Sequence, residues 1–366
     1  MAEQPNRFDG RVGLQQRVLP AYRVAFVDRL ARACDGLQVF AGRSRPQEAI
    51  LAGETPEQAD WVKAENRYLF SERTYLLWQP GLMQWLRKWQ PEVLILEANP
   101  RYLSNWRIAR QARRAGIVVL GWGLGAPGAS GPLGRIVWGW YLRRFDGVIA
   151  YSSQGAEQLR AVGHRKLLIE VAINAVADPT PALPGREPPT DRAPRLLFVG
   201  RLQERKGLDR LLQAAASLDR PVELRIVGDG PARSSLESLA QAALPGAVFD
   251  GALQGEALAD AFRWADLFVL PGTGGLAVQQ AMAYGLPVIV AEGDGTQRDL
   301  VRPENGWLVP AGDQPALAAV IEGALSDPAG LVQKGAASYR IVAEEINLDQ
   351  MTRVFVETIR TARERS

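Results

Sequence analysis

The chain has 366 residues, 47% of them hydrophobic and 23% charged, with 43 Lys and Arg set against 40 Asp and Glu. That length exceeds the roughly 250–300 residues at which one hydrophobic core stops growing, so two domains are expected. A net charge of only +3, spread along the chain, favours anionic partners weakly and does not support a nucleic-acid partner.

One cysteine, Cys34, excludes an internal disulfide, and a single histidine leaves no Cys/His cluster of the kind zinc or iron requires. A reducing cytoplasm is the compartment that fits. The first residues, MAEQPNRFDGRVG, lack the basic-then-apolar profile of a signal peptide. No uninterrupted apolar run approaches the ~18 residues of a membrane span. The expectation is a protein neither exported by that route nor integral to a membrane.

In chain order, short apolar runs alternate with helix-length segments: LQVFAG (37–42), PEVLILEANP (91–100), GIVVLGWG (116–123), FDGVIAYSS (145–153) and KLLIEVAIN (166–174). Runs of this kind, bounded by Gly, Asn or Ser, read as buried parallel strands. A proline-rich stretch, ADPTPALPGREPPTDRAP (177–194), can continue neither a helix nor a central strand and reads as a linker. The rhythm then restarts with RLLFVG (195–200), VELRIVGDG (222–230), GAVFDG (246–251), ADLFVLPG (265–272), LPVIVAEGDG (286–295) and GWLVPAGD (306–313). The predicted organisation is an α/β first domain over 1–178, a linker over 179–194 and an α/β second domain over 195–345. Both are expected to be doubly wound and Rossmann-like, with ligands at the carboxyl ends of their strands facing one cleft. A last helix, 346–366, is apolar at Met351, Val354, Phe355 and Ile359, a spacing of three and four that fits packing on either domain.

The segment LLFVGRLQERKGLDRLLQAA is the most informative. A strand ends at Gly200, Arg201 follows, and Lys206 with Gly207 stands at the mouth of a helix. Two cations beside a helix N-terminus make an anion site: a planar fork, a point charge, and the amides and dipole of the helix.

Together with LRIVGDGPARSSLESLA, VFDGALQGEALADAFRWADLFVLPG, GLAVQQAMAYGLPVIV and ENGWLVPAGDQPALAAVI, in this order and spacing, that segment resembles the donor domain of GT-B glycosyltransferases of the large retaining family 4. The resemblance is strong over about 194–325 and weaker in the first half. It implies the GT-B fold, a nucleotide-sugar co-substrate, no permanently bound cofactor and no metal. The diphosphate would lie on Arg201 and Lys206, and the last helix would cross back to the first domain. It also implies transfer of a sugar, with retention, to a glycan, lipid-linked or small-molecule acceptor.

The sequence departs from the family at the segment GTGGLAVQQAMA. Family members carry two glutamates eight positions apart here, one near the reacting carbon and one on the ribose; this chain has Gly272 and Gln280. Gln280 can still accept from a hydroxyl. Gly272, Gly274 and Gly275 are assigned to the donor sugar and nucleoside through a close backbone approach, against the alternative of a plain strand-to-helix turn. Where relatives place a histidine in the turn GWGLGAPG, this chain has Leu124, and its lone His164 receives no role.

Glu97, at a strand end, is the candidate catalytic carboxylate, with a structural hydrogen-bond hub as the equal alternative. Asn99, Arg101, Gly123, Leu124, Tyr22 and Arg23 are candidates for the acceptor or cleft, and Asp294 for the cleft or a Gly-Asp-Gly turn. The segment PLGRIVWGWYLRRF sets Trp138, Trp140, Tyr141 and Phe145 among Arg135, Arg143 and Arg144. It could rest peripherally on the inner face of the membrane, although a helix packed on the sheet with its arginines in water is the commoner arrangement. A non-catalytic, sugar-nucleotide-binding or scaffolding member of the same fold, its acidic pair lost with its chemistry, is the alternative function.

Overall fold

The computed structural model describes residues 7–45, 55–70, 75–127, 129 and 131–366, which form two compact units. The first comprises residues 1–176 and 348–366, the second 177–347.

The first unit contains β1 (Phe8–Val18), β2 (Cys34–Gly42), β3 (Asp60–Lys63), β4 (Arg67–Leu69), β5 (Leu76–Trp78), β6 (Val93–Glu97), β7 (Val118–Gly123), β8 (Gly147–Ala150) and β9 (Leu168–Val171). Seven of these form a parallel sheet in the order β3-β2-β1-β6-β7-β8-β9, while β4 and β5 pair antiparallel as a small ribbon. The central strand β1 was absent from the apolar runs in the sequence, because it reads FDGRVGLQQRV. Its polar residues are buried by hydrogen bonding. The Gln15 carboxamide oxygen accepts from the Glu97 amide (3.1 Å) and Asn105 Nδ2 (2.9 Å), and its nitrogen donates to Gln79. Gln79 in turn donates to the carbonyl of Gln16 at 3.1 Å and to Asn66 Oδ1 at 2.8 Å. Apolar periodicity is blind to a strand stabilised in this way.

The helix Leu348–Glu364, though last in sequence, completes the core of this unit. Phe355 is fully buried, its ring centroid 4.8 Å from that of Phe26 and 5.0 Å from that of Trp122, in edge-on contacts. Leu348, Met351, Val356 and Ile359 fill the same cluster as Val12, Leu14 and Ile95 of the sheet. Cys34 is buried in that cluster, and desolvation raises its thiol pKa to about 12.

The second unit contains β10 (Arg195–Val199), β11 (Glu223–Val227), β12 (Val248–Gly251), β13 (Leu267–Leu270), β14 (Val288–Ala291) and β15 (Gly306–Val309), all parallel, in the order β12-β11-β10-β13-β14-β15. The proline-rich stretch read as a linker has no regular secondary structure and belongs to this unit. Arg186 at its middle is inserted among the carbonyls of Phe262 (3.0 Å), Ala265 (2.5 Å) and Tyr284 (2.8 Å), and burial lowers its pKa to about 10. Gln279 ties the two ends of the unit together: its side chain pairs with both the amide and the carbonyl of Ala177 and donates to the carbonyl of Ile346 at 3.0 Å.

Among the described residues no helix is long and apolar enough to cross a membrane. Truncation of Phe355 to Ala removes an aromatic side chain that touches both the sheet and the helix Val24–Arg32 cluster. In chemical denaturation it should lower the stability of the first unit by ~3–5 kcal/mol, whereas Val354→Ala, half-buried beside it, should cost far less.

Candidate functional site

In the second unit, connections from β10 leave toward β11 on one side while β13 pairs with β10 on the other. The carboxyl ends of β10 and β13 therefore part at the point where strand order reverses, which opens a crevice in doubly wound sheets. Two backbone segments meet there. After β10 the chain passes Gly200 and half-buried Arg201, makes a 3-10 turn over Glu204–Lys206, and enters the helix Leu208–Ala216 through Gly207 at φ +67°. After β13 it passes Pro271 and the glycines to the helix Leu276–Ala283.

The two segments are zipped together. The Thr273 amide donates to the carbonyl of Arg205 at 3.0 Å, the Arg205 guanidinium to Thr273 Oγ1 at 3.0 Å, and the Lys206 ammonium to the carbonyl of Thr273 at 2.6 Å. Lys206 is mostly buried here. Desolvation, reinforced by the Arg205 charge and opposed by Asp294, lowers its pKa to about 8. Among the described residues no carboxylate forms a direct ion pair with this ammonium, a placement chemically suited to an anion.

The glycines explain how it fits. A Cβ on Gly272 would lie 2.4 Å from the carbonyl oxygen of Arg205 and from the carbonyl carbon of Lys206. On Gly274, at φ +130°, it would lie 2.4 Å from the Lys206 ammonium. On Gly275 it would meet Thr296 Oγ1 at 3.1 Å. The Lys206 turn thus occupies the space that a side chain at 272 would need. The glycines were assigned to a close approach to the donor; in the structure Gly272 and Gly274 lie against the Lys206 turn.

Asp294 is held by three donors, Thr296 Oγ1 (2.6 Å), the Thr296 amide (3.2 Å) and Gln297 Nε2 (3.0 Å). Gln297, fully buried, also donates to the carbonyl of Gly274 at 3.3 Å. Gln280 is half-buried on the helix after the glycines, while its neighbour Gln279 is the fully buried one. Sequence reasoning missed Thr273, Arg205 and Gln297, whose roles depend on main-chain neighbours across the crevice.

In the first unit the carboxyl ends of β6, β7 and β8 surround a cavity of about 690 Å³. Glu97, Asn99, Arg101, Gly123 and Leu124 all line it, joined by Tyr151, Trp138, Leu133 and Val137. Both carboxylate oxygens of Glu97 are engaged: one accepts the Arg17 amide at 2.7 Å, the other the Tyr102 hydroxyl at 2.9 Å. Burial and the Glu97 charge raise the Tyr102 pKa well above its ordinary value, so it remains the donor. Glu97 is therefore a fixed negative wall of the cavity, tied to the ends of β1 and β6.

Tyr22 and Arg23 are not among the lining residues. Tyr22 is exposed, and Arg23 is buried against Trp122, 4.3 Å from its ring centroid, with Nη1 donating to Asn174 at 2.7 Å. His164 is exposed beyond the helix Ser153–Val162, and partial burial with the charges of Arg113 and Arg143 lowers its pKa. Among the described residues no group of three or more His, Cys, Asp and Glu is placed to hold a metal ion.

Two outcomes are expected. Lys206 is half-protonated at about pH 8 and loses its proton as pH rises through that value, so nucleoside diphosphate binding should weaken above pH 8, by up to ~tenfold per pH unit. Titration calorimetry between pH 7 and 9.5 reads this, and Lys206→Arg should flatten the profile. Gly272→Glu restores a family carboxylate but collides with the Lys206 turn, so it should bind nucleoside diphosphate more weakly than the parent; equal or tighter binding would contradict the steric account.

Comparison with known proteins agrees with this geometry. Residues 193–327 match the family model of glycosyl transferases group 1. The chain is 37% identical over 250 residues to a GDP-mannose-dependent alpha-mannosyltransferase of Mycobacterium tuberculosis, covering 63% of this chain and 64% of that one. It is 32% identical over 237 residues to a 2-deoxystreptamine glucosyltransferase of Streptomyces kanamyceticus, covering 59% and 61%. The match thus spans somewhat under two thirds of either relative. Among solved structures, sucrose-phosphate synthase from Thermosynechococcus elongatus superposes with a TM-score of 0.73 at 21% identity, covering 97% of this chain and all of that one. Anabaena HepE in complex with UDP gives 0.73 at 16%, covering 96% and 99%. Through residues 193–327 the chain is similar to the glycosyl transferases group 1, and its fold is that of the GT-B glycosyltransferases.

Proposed function

We propose that the protein is a glycosyltransferase that moves a sugar from a nucleoside-diphosphate sugar to an acceptor hydroxyl, with retention at the transferred carbon. The observation that carries this reading is the Lys206 ammonium, buried where β10 and β13 part and held by the Thr273 carbonyl at 2.6 Å. A buried cation opposes folding unless something else is gained from it, and a leaving diphosphate supplies the charge it lacks. Arg201 and the first-turn amides of the helix Leu208–Ala216 would complete the cradle. As the sugar–phosphate bond breaks, charge grows on the phosphate oxygens, and these groups stabilise it more in the transition state than in the bound donor. The resemblance to a GDP-mannose-dependent enzyme makes GDP-mannose the first donor to test.

The cavity lined by Glu97, Asn99, Arg101, Gly123 and Leu124 is the proposed acceptor side, suited to a polyhydroxylated glycan or headgroup by its mixture of charged, amide and aromatic walls. A cytoplasmic location accords with the buried free thiol of Cys34. Neither a bound cofactor nor a metal enters the scheme.

A second reading, a sugar-nucleotide-binding partner without turnover, is favoured by the absence of any side chain at Gly272 and by the amide at Gln280. The two separate when pure protein is incubated with a panel of nucleotide sugars beginning with GDP-mannose, and with glycan and lipid-linked acceptors. Transfer, or slow donor hydrolysis, supports the enzyme; tight donor binding with no turnover across the panel supports the second reading. For the enzyme, Arg201→Ala and Lys206→Ala should each lower kcat/KM by ~10²-fold or more. Relief of the buried charge should leave the melting temperature of Lys206→Ala unchanged or raised.

A further inference from the structure

The helix Pro132–Leu142 is apolar on two sides. Trp138, Tyr141 and Leu142 are buried in the core that also holds Phe145, Ile108 and Leu96. The opposite side carries Leu133, Ile136, Val137 and Trp140, whose exposures are 78%, 52%, 45% and 60%. Their spacing of three, one and three makes them a single stripe facing water. A helix that served only to cover its sheet would be polar there. A contiguous apolar stripe of this size marks an interaction surface.

The surroundings identify the occupant. The helix holds no acidic residue, and Arg135 on it is exposed. Just past its end, Arg143 and Arg144 join Arg110, Arg113 and Arg114 of the helix Leu103–Arg114 around a surface depression of about 410 Å³. Against these five guanidinium groups stands Asp146, paired with Arg113 at 3.1 Å. Arg144 lies over the Trp106 ring at 4.5 Å and donates to the carbonyl of Trp140, which links the cluster to the stripe. Partial burial and the charges of Arg113 and Arg143 lower the pKa of His164 nearby. An aliphatic and tryptophan stripe beside uncompensated arginines is the pairing that an anionic bilayer surface satisfies, apolar side chains entering the acyl boundary and guanidinium groups meeting phosphates. A protein partner would have to supply both features in register; a bilayer presents them everywhere.

From these juxtapositions we infer that the first unit docks on anionic membranes through Leu133, Ile136, Val137 and Trp140, with the arginine cluster on lipid phosphates. The same helix forms one wall of the 690 Å³ cavity through Leu133, Gly134, Val137 and Trp138. An acceptor anchored by a lipid tail would enter that cavity without leaving the surface. This assignment of the acceptor as lipid-linked rests on the glycosyl-transfer reading; the docking itself does not.

The test is sedimentation of the full chain with phosphatidylcholine vesicles, with and without ~30% phosphatidylglycerol, at low and high salt. Binding to the anionic vesicles alone, weakened by salt, is expected. Ile136→Glu/Trp140→Glu should reduce it by ~tenfold or more, and Arg110→Glu/Arg114→Glu/Arg143→Glu should abolish the preference for anionic lipid. An unchanged circular dichroism spectrum and cooperative thermal transition show that these surface variants remain folded. No vesicle binding by the parent chain overturns the inference. So does a dimer in analytical ultracentrifugation that Ile136→Glu/Trp140→Glu dissolves while vesicle binding is absent. Because sedimentation needs neither donor nor acceptor, its failure leaves the transferase reading standing, and an inactive protein that still sediments leaves the docking standing.

Discussion

The contact between the Lys206 ammonium and the Thr273 carbonyl is the interaction on which the second unit's site depends. It joins the chain leaving β10 to the chain leaving β13, the two neighbours between which a doubly wound sheet opens. For the ammonium to reach that carbonyl, the turn Glu204–Lys206 must press against the loop after β13, and side chains are excluded from 272 and 274 as a result. Glycine at these positions leaves room for the Lys206 turn, and the burial that results lowers the Lys206 pKa. The arrangement is a largely desolvated cation held by a main-chain hydrogen bond.

The first unit reaches a similar end by other means. Its central strand carries Gln15 and Gln16 where most parallel strands carry branched aliphatic residues. Their hydrogen bonds to Gln79, Asn105 and the Glu97 amide fix the end of β6, and Glu97 is then clamped by the Arg17 amide and the Tyr102 hydroxyl. The bonds that are made hold the network in place, because breaking one would leave a polar group in an apolar place, as Gln16 Nε2 and Asn105 Oδ1 already are among the described residues. The cavity beside it is therefore walled by a carboxylate whose direction is set before any ligand arrives.

Much of this was legible in the sequence for identifiable reasons. Strands such as VLILE and LFVL are buried on both faces and read as continuous apolar runs, so the βα rhythm and the GT-B class followed from them and from the motif order. Arg201 and Lys206 stood out because cations after a strand and before a helix have an electrostatic meaning that spacing alone conveys. Strand β1 did not stand out, since its burial is bought with hydrogen bonds to residues 64 to 90 positions away. The proline-rich stretch 177–194 showed its lack of helix and strand, but not that Arg186 would be driven into carbonyls near residues 262, 265 and 284.

By itself the sequence determined the α/β class, the order of the elements and the residue types available for gripping an anion, because these follow from local patterns of apolar, glycine and basic residues. Tertiary structure alone decided which backbone lies against the glycines at 272 and 274, that both oxygens of Glu97 are occupied, and that one side of the helix Pro132–Leu142 is apolar in water. Each of these depends on which distant backbone or side chain comes within a few ångströms, and no periodicity along the chain encodes that.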